Sequence, residues 1–198
     1  MKMIRNYKNV IAILLLAFCS FSCLEDLKFV PETAKDGTIT ASIDGEPFDV
    51  ESGQGVFGSE FIVAELEEEK DHFVLTVFGV EIEEDGKAFA MGIKIGGENI
   101  NEMKAGNVYK EWVPIDGFEE VYSGAMGGVE KRKSVNAKDN IFKAGSNHTG
   151  EMEISITEID FELKKISGTF SFIALDEDKD VRIEVKSGVF QGIEWTNI

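Results

Sequence analysis

Cysteine is almost absent from this chain of 198 residues. The only two, Cys19 and Cys23, lie near the amino terminus, so the long remainder cannot form an internal disulfide. A domain of this length can bury roughly 70% of the surface that its unfolded chain would expose, and therefore needs no covalent cross-link. The sequence predicts a domain that is held together by a hydrophobic core.

Histidine and the common catalytic motifs are also scarce. His72 and His148 are the only histidines, and neither has a second histidine three or four residues away, as transition-metal sites usually require. The sequence contains no phosphate-binding glycine loop and no G-x-S-x-G motif. We therefore expect a non-enzymatic protein without a cofactor.

No apolar run reaches the ~20 residues that a membrane-spanning helix needs. The longest run, Val10 to Phe18, is about half that length. It follows Lys2, Arg5 and Lys8 and precedes small and polar residues, which is typical of a secretory signal peptide. We interpret residues 1–22 as a signal peptide.

The end of this leader contains a candidate lipid anchor. Cys23, preceded by the small Ser22, resembles the lipobox of bacterial lipoproteins, in which the thiol is acylated and the chain is cut just before the cysteine. Residues 23–37 would then be a lipidated tether, and residues 38–198 a single exported domain. An ordinary secretory peptide with an incidental cysteine is the alternative.

Positive charge is in short supply. The chain has 20 Lys and Arg against 37 Asp and Glu, for a net charge of −17. Removal of the leader, which carries three basic residues and no acid, would take this from −17 to −20. The negative electrostatic field of so acidic a chain disfavours binding to nucleic acid and to anionic lipid. Solubility outside the cell is the simplest interpretation, and binding of cations or basic surfaces stays open.

Apolar residues at every second position are plentiful. Between 166 and 186, Ile166, Phe170 and Phe172 alternate with small hydroxyl residues, and a second alternating run begins after the acidic turn at 176–180. This pattern predicts a β-hairpin. Gly188 interrupts the second strand, and a bulge there would return Phe190 to the core.

Similar short alternating runs recur along the chain with Gly, Asp and Asn between them, and no window shows a sustained helical period. The sequence predicts an all-β fold, as an antiparallel β-sandwich or, alternatively, a partly closed β-barrel. The run from His72 to Val80 is apolar on both faces, as expected of a strand covered on both sides. Residues 123–149 show no period and are predicted to be irregular.

Several of these segments carry a family resemblance. The run from Gly150 to Phe190, with Ile166 to Phe172 as its most specific part, resembles an uncharacterised family of Bacteroidota lipoproteins that is known only as a domain of unknown function. The turn Asp44-Gly45 and the segment Gly106 to Tyr109 are similar to earlier landmarks of that family. The resemblance implies a small exported β domain, and it implies no catalytic residue.

One acidic turn is a candidate calcium site. Asp176, Asp178 and Asp180 alternate like the first three ligands of a calcium-binding loop. Val181 stands where such a loop has glycine, and Ser187 stands at the place of its final glutamate. A hairpin turn is the favoured interpretation.

Three aromatic residues are candidate ligand contacts. Tyr109, Trp112 and Tyr122 could offer a platform for sugar rings, although aromatic residues at strand spacing are usually core. Glycoside hydrolysis needs only two carboxylates about 5–9 Å apart, which so acidic a chain could supply. Our leading hypothesis is a lipid-anchored lipoprotein of the outer membrane, on its periplasmic or cell-surface face, that acts as a non-enzymatic binding or structural module. An envelope protein or a glycan would be its partner. A carbohydrate-binding accessory protein or weak glycosidase is the alternative.

Overall fold

The computed structural model describes residues 37–52, 60–69, 72–83, 85–116, 121–134, 137, 139–147 and 149–198. In these residues the regular structure is β-strand, apart from a 3₁₀ turn at Ile100–Glu102. The all-β prediction is confirmed. In chain order the strands are β1 Thr38–Ile43, β2 Glu46–Glu51, β3 Glu60–Glu69, β4 His72–Ile82, β5 Ala88–Gly97, β6 Val108–Lys110, β7 Val113–Pro114, β8 Tyr122–Arg132, β9 Asn140–Gly145, β10 Met152–Asp160, β11 Lys165–Asp176, β12 Val181–Glu194 and β13 Thr196–Asn197.

The strands form one continuous sheet that curls into a half-barrel. Its order is β13-β3-β4-β5-β8-β9-β11-β12-β1-β2, and β6, β7 and β10 are attached beside this path. Neighbouring strands run antiparallel except for β13 and β3, which are parallel. Since a single sheet twists and coils around the core, the structure corresponds to the partly closed barrel rather than to two separate sheets.

The two edges of the curled sheet pack around a common interior. Ile39 of β1 and Phe48 of β2 lie against Gly79 of β4, where an added Cβ would stand 3.5 Å from both side chains. At the other edge, β13 continues from β12 and pairs with Glu65 and Leu66 of β3. Strands that are distant in the sheet order, such as β2 and β4, therefore face each other across the core.

Aromatic rings that lie on glycines fill the centre of the core. Phe170 stacks with Phe172 and with Phe190, at ring-centroid distances of 6.2 and 6.3 Å. Gly168 faces Phe190 across β11 and β12, and Phe170 faces Gly188. A Cβ at Gly168 or Gly188 would collide with the facing ring. The two Gly-x-Phe sequences therefore interlock, each supplying the space that the other's ring occupies.

The predicted bulge in β12 is confirmed. Across Lys186 to Gly188, β12 has one more residue than either of its neighbours, β11 and β1. Ser187 takes the left-handed backbone conformation, with φ of 51°. The extra residue reverses the alternation, and Phe190 is buried at 1% exposure.

The prediction of irregular structure at 123–149 is wrong for most of that stretch. β8 is an 11-residue strand in the middle of the sheet, and β9 pairs beside it. On the inner face of β8, Gly127 stands at a position where an alternating strand would have a large apolar residue. The Phe172 ring occupies that space, 2.5 Å from the position that a Cβ on residue 127 would take. The small residues that make this packing fit also remove the alternation that identifies strands.

The outer surface of the curl has two different halves. On β4, β5 and β8 the outward residues are buried, including Phe78, Val80 and Ala90 at 1–2% exposure. β4 is thus covered on both faces, as predicted. On β10, β11 and β12 the outward residues Glu153, Thr169 and Ser171 are exposed. Of these two groups of strands, only the second offers its outer face to solvent.

Glu65 is an acid on the buried half, at the junction that joins β13 to β3. It lies opposite Thr76 of β4 and Thr196 of β13 and is 6% exposed. Burial removes hydration from its carboxylate and raises its pKa from 4.5 to about 7. Ionisation of Glu65 therefore opposes folding.

Gly168→Ala should destabilise the fold by about 1–3 kcal/mol, because the new methyl group meets both the Phe190 ring and the backbone oxygen of Ser155, 2.5 Å away. Gly79→Ala is the matched control, since its methyl group would meet neighbours only at 3.5 Å. The free energy of unfolding in denaturant measures both. Equal stability of the two variants would contradict the interlocking of rings and glycines.

Glu65→Gln should stabilise the protein at pH 8 by about 1–3 kcal/mol and leave it unchanged near pH 4.5. The folded-state pKa lies above the unfolded one, so the folded protein holds the proton more tightly. The wild type therefore loses stability as pH rises from about 4.5 to about 7. Unfolding free energies at the two pH values test this, with the exposed Glu68→Gln as control. A gain for Glu65→Gln that is the same at both pH values would refute the prediction.

Candidate functional site

The exposed face of β10, β11 and β12 carries small hydroxyl side chains. Thr169 and Ser171 point outward because the alternating residues Gly168, Phe170 and Phe172 point into the core. Ser155 of β10 lies opposite Thr169, which extends the hydroxyl row across the sheet. The core pattern of these strands thus fixes a polar surface on their other side.

Two adjoining depressions lie on this face, with volumes of about 360 and 330 Å³. Both are lined by Glu153 and Ser171, so they form one groove that follows β11. We call it the β11 groove. Each depression by itself has a volume at the lower end of the range of small-ligand sites.

Longer side chains form the two sides of the β11 groove. On one side Lys110 of β6 pairs with Glu153 of β10 at 2.9 Å, and on the other Lys186 pairs with Glu184 of β12 at 2.8 Å. All four side chains are 39–63% exposed. Exposed ion pairs contribute little to stability, so a ligand can replace their contacts with little penalty.

The bulge in β12 shapes one end of the β11 groove. Ser187, Gly188 and Val189 line it there. Because Ser187 is the extra residue, the side chains before and after it are displaced from a regular ladder. The groove is therefore a product of the same bulge that returns Phe190 to the core.

The three candidate aromatic residues do not form one platform. Trp112 and Tyr122 stack, with ring centroids 5.6 Å apart and ring planes 12° from parallel, and both are half-buried. Trp112 also lies over Gly96, where an added Cβ would stand 2.9 Å from its ring. Tyr109 packs against the core instead. Its pKa is raised, mainly by burial and to a smaller extent by the nearby Glu102 carboxylate. Trp112 and Tyr122 are therefore the two of the three that lie together.

The three candidate calcium ligands do not converge. Asp176 is buried, and its Oδ2 accepts a hydrogen bond from the backbone N–H of Lys143 at 2.8 Å. Asp178 and Asp180 are exposed in the turn. Among the residues that the structure describes, no three His, Cys, Asp or Glu side chains are grouped to hold a metal. Asp176 joins β11 to β9 through its side chain and pairs with Val181 of β12 across the turn, which confirms the hairpin interpretation.

A buried ion pair lies at the end of β8, away from the β11 groove. Arg132 Nε donates to Glu130 Oε1, and both side chains are at most 7% exposed. Burial raises the pKa of Glu130, and the Arg132 guanidinium partly offsets this effect. The pair lies within the region predicted to be irregular, through which β8 extends as far as Arg132.

Several candidate residues cannot be placed. Cys23, His148, the signal peptide and the tether up to Asp36 lie outside the described residues. His72 begins β4, opposite Glu69 of β3, and is half-buried. Where the structure is described, it contains no helix of the length and apolarity needed to cross a bilayer.

A family model supplies the comparison with known proteins. A domain of unknown function, DUF6252, is found at residues 122–194. No curated protein and no solved structure matches the chain. The DUF6252 segment comprises β8 to β12, and so it contains most of the β11 groove but neither Lys110 nor Trp112. It also includes 123–147, where the sequence alone shows no resemblance.

The β11 groove is the feature that sequence analysis missed. The outward hydroxyls of β11 are visible in the sequence as the polar half of an alternating strand. Their neighbours are not, because Lys110 and Ser155 are brought beside them only by the pairing of β6, β10 and β11. The alternation of polar and apolar residues could identify a solvent-exposed strand face, but not a groove.

Asp176→Ala should destabilise the protein by about 1–3 kcal/mol, because the buried N–H of Lys143 loses its acceptor. Asp178→Ala, in the same turn but exposed, should change stability by less than about 0.5 kcal/mol. Thermal unfolding with and without millimolar calcium measures both effects, and we expect no shift of Tm by calcium. A calcium-dependent rise in Tm that Asp178→Ala abolishes would restore the calcium hypothesis.

Proposed function

We propose that this protein is a bacterial cell-envelope lipoprotein, lipid-anchored through Cys23, that serves as a non-enzymatic binding module. The leader with its apolar run and the lipobox-like Ser22-Cys23 support the anchor. The observation that carries the binding role is the β11 groove, on the half of the outer surface that is open to solvent. The partner we favour is an envelope protein.

The groove chemistry favours binding over catalysis. Three acids line it, Glu151, Glu153 and Glu184, and the last two each pair with a lysine. A glycosidase needs one carboxylic acid held in its protonated form and another kept free to attack or to activate water. No two of these acids face each other across a closed cleft, and two of them already contact lysines, which suits recognition of polar groups better than glycoside hydrolysis.

The outer membrane is the location we propose, on its periplasmic or cell-surface face. Glu25 and Asp26, just after Cys23, resemble the acidic signal of some Bacteroidota lipoproteins that reach the outer leaflet. We also propose that the chain belongs to the exported lipoproteins of that phylum. A mature charge of −20 makes nucleic acid an unsuitable partner.

Carbohydrate binding is the second candidate. The Trp112–Tyr122 stack supports it, because half-buried aromatic faces are suited to contact with sugar rings. In this case the protein would be an accessory to carbohydrate handling, and its ligand would contact Trp112 rather than the β11 groove.

Metabolic labelling with a fatty acid tests the anchor. The wild-type protein should incorporate label and begin at Cys23 after processing, while Cys23→Ala should incorporate none, because the thiol is the site of acylation. Cys19→Ala is the matched control and should label like the wild type. Label retained in Cys23→Ala would overturn the anchor.

Crosslinked pull-down from intact cells tests the groove. Ser171→Arg should abolish recovery of a partner, because the long side chain would fill the floor shared by both depressions. Thr157→Arg, on an exposed residue of β10 that does not line the groove, should leave recovery unchanged. A partner that survives Ser171→Arg would contradict the groove assignment.

A glycan array separates the two candidates. Saturable glycan binding that Trp112→Ala removes and Ser171→Arg preserves would replace our proposal with the carbohydrate alternative. An array without binding, together with a partner lost in Ser171→Arg, supports the groove.

A further inference from the structure

Three large apolar side chains are exposed at one end of the half-barrel. Phe161 and Leu163, in the turn between β10 and β11, are 41% and 62% exposed, and Ile198 at the chain end is 49% exposed. Single exposed apolar residues are ordinary, whereas a group of them marks a contact surface. We call these three residues the apolar end.

Contacts between the turn and the last residues bring both segments to the same end of the sheet. Phe161 packs edge-on against Trp195, with ring centroids 6.1 Å apart. The backbone N–H of Trp195 donates to the Lys164 oxygen at 2.9 Å, and Lys164 Nζ donates to Asn197 Oδ1 at 3.0 Å. The chain end is therefore fixed beside the turn.

The turn itself is ordered by hydrogen bonds. Asp160 Oδ1 accepts the backbone N–H groups of Glu162 and Leu163, at 2.9 and 2.8 Å. Lys164 completes the turn in the left-handed backbone conformation, with φ of 52°. The apolar side chains thus project from a rigid turn, and their exposure is built into the fold.

The tether enters the domain at this same end. A Cβ on Gly37 would stand 2.7 Å from Ile193 Cδ1, and Ile193 pairs with Ile166 at the start of β11. The far end of β11, at Asp176, is roughly 35 Å away, since a strand rises about 3.3 Å per residue. From Cys23 to Gly37 the chain advances only 14 residues, a reach of at most about 50 Å.

We propose that the apolar end contacts the membrane that holds the lipid anchor, with Phe161, Leu163 and Ile198 inserted at the lipid interface. The inference rests on the proposed lipidation of Cys23. An anchor joined to Gly37 by a short tether keeps this end nearer the bilayer than the turn at 177–180. Burial of the three side chains in the interfacial layer then fixes the orientation.

Charge around the apolar end identifies the kind of lipid. Between 158 and 165 there are three acids, at 158, 160 and 162, and two lysines, at 164 and 165. Glu194, which pairs with Lys165, adds a fourth acid, so the group is net negative and offers no attraction to anionic head groups. The surface suits zwitterionic lipid, and the interaction depends on apolar insertion.

This orientation leaves the β11 groove accessible. The groove follows β11 from Thr169 to Ile173, beyond the residues nearest the membrane. Its long axis points away from the bilayer, so a partner can approach from solvent. Membrane contact and partner binding use different surfaces.

Fluorescence quenching on the full lipidated chain tests the inference. Acylation consumes the only cysteine left after processing, so Glu162→Cys and Glu177→Cys each provide one thiol for an environment-sensitive dye. Both positions are exposed glutamates in turns, at opposite ends of β11. The vesicles contain phosphatidylcholine and phosphatidylethanolamine with a shallow nitroxide-labelled lipid. We expect quenching at 162 to exceed that at 177 by at least about twofold.

Further variants separate apolar insertion from proximity alone. In the Glu162→Cys background, Leu163→Ser should reduce quenching toward the level at 177, because the most exposed member of the apolar end is lost. Val113→Ser, an exposed apolar residue of β7 outside both the apolar end and the β11 groove, should have no effect. Quenching at 162 that is unchanged by Leu163→Ser would overturn the insertion.

Flotation with the vesicles distinguishes failure of the anchor from failure of the orientation. Protein that does not float refutes lipidation, and with it the basis of this inference. Protein that floats but shows equal quenching at 162 and 177 keeps the anchor and refutes the membrane-contacting end.

Discussion

Interlocked phenylalanines and glycines on β11 and β12 are the contact on which the rest of the structure depends. A ring at Phe190 lies on Gly168, and a ring at Phe170 lies on Gly188. Glycine is weak in a strand on its own, but here it lets large rings lie flat against the backbone of the neighbouring strand. The core is thus filled at the centre of one curled sheet, without a disulfide in the domain.

The bulge in β12 connects this core to the surface. The extra residue at Ser187 restores Phe190 to the inner face and also displaces the outward side chains that border the β11 groove. The packing of the core and the shape of the candidate site therefore depend on the same bulge. The buried half of the outer surface, with Phe78 and Glu65, is closed to ligands, whereas the hydroxyl-bearing half carries the groove on which the proposed binding role rests.

Much of the fold could be predicted because alternation is a local property. Each outward Ser or Thr on β11 is separated by one residue from an inward Phe, and the period of a strand makes that visible in the sequence alone. β8 escaped prediction because its inward Gly127 makes room for Phe172, a residue 45 positions later in the chain. No local pattern reports a space that is shaped by a distant ring.

The sequence by itself determined the all-β class, the bulge near Gly188 and the hairpin role of the acidic turn, since each follows from neighbours along the chain. Tertiary structure alone decided that the strands form one curled sheet, that Trp112 stacks on Tyr122 while Tyr109 turns to the core, and that Lys110 borders β11. Strand pairing settles these points. It joins residues across long loops, and the hydrophobic period that places each residue inside or outside says nothing about which strand lies beside it.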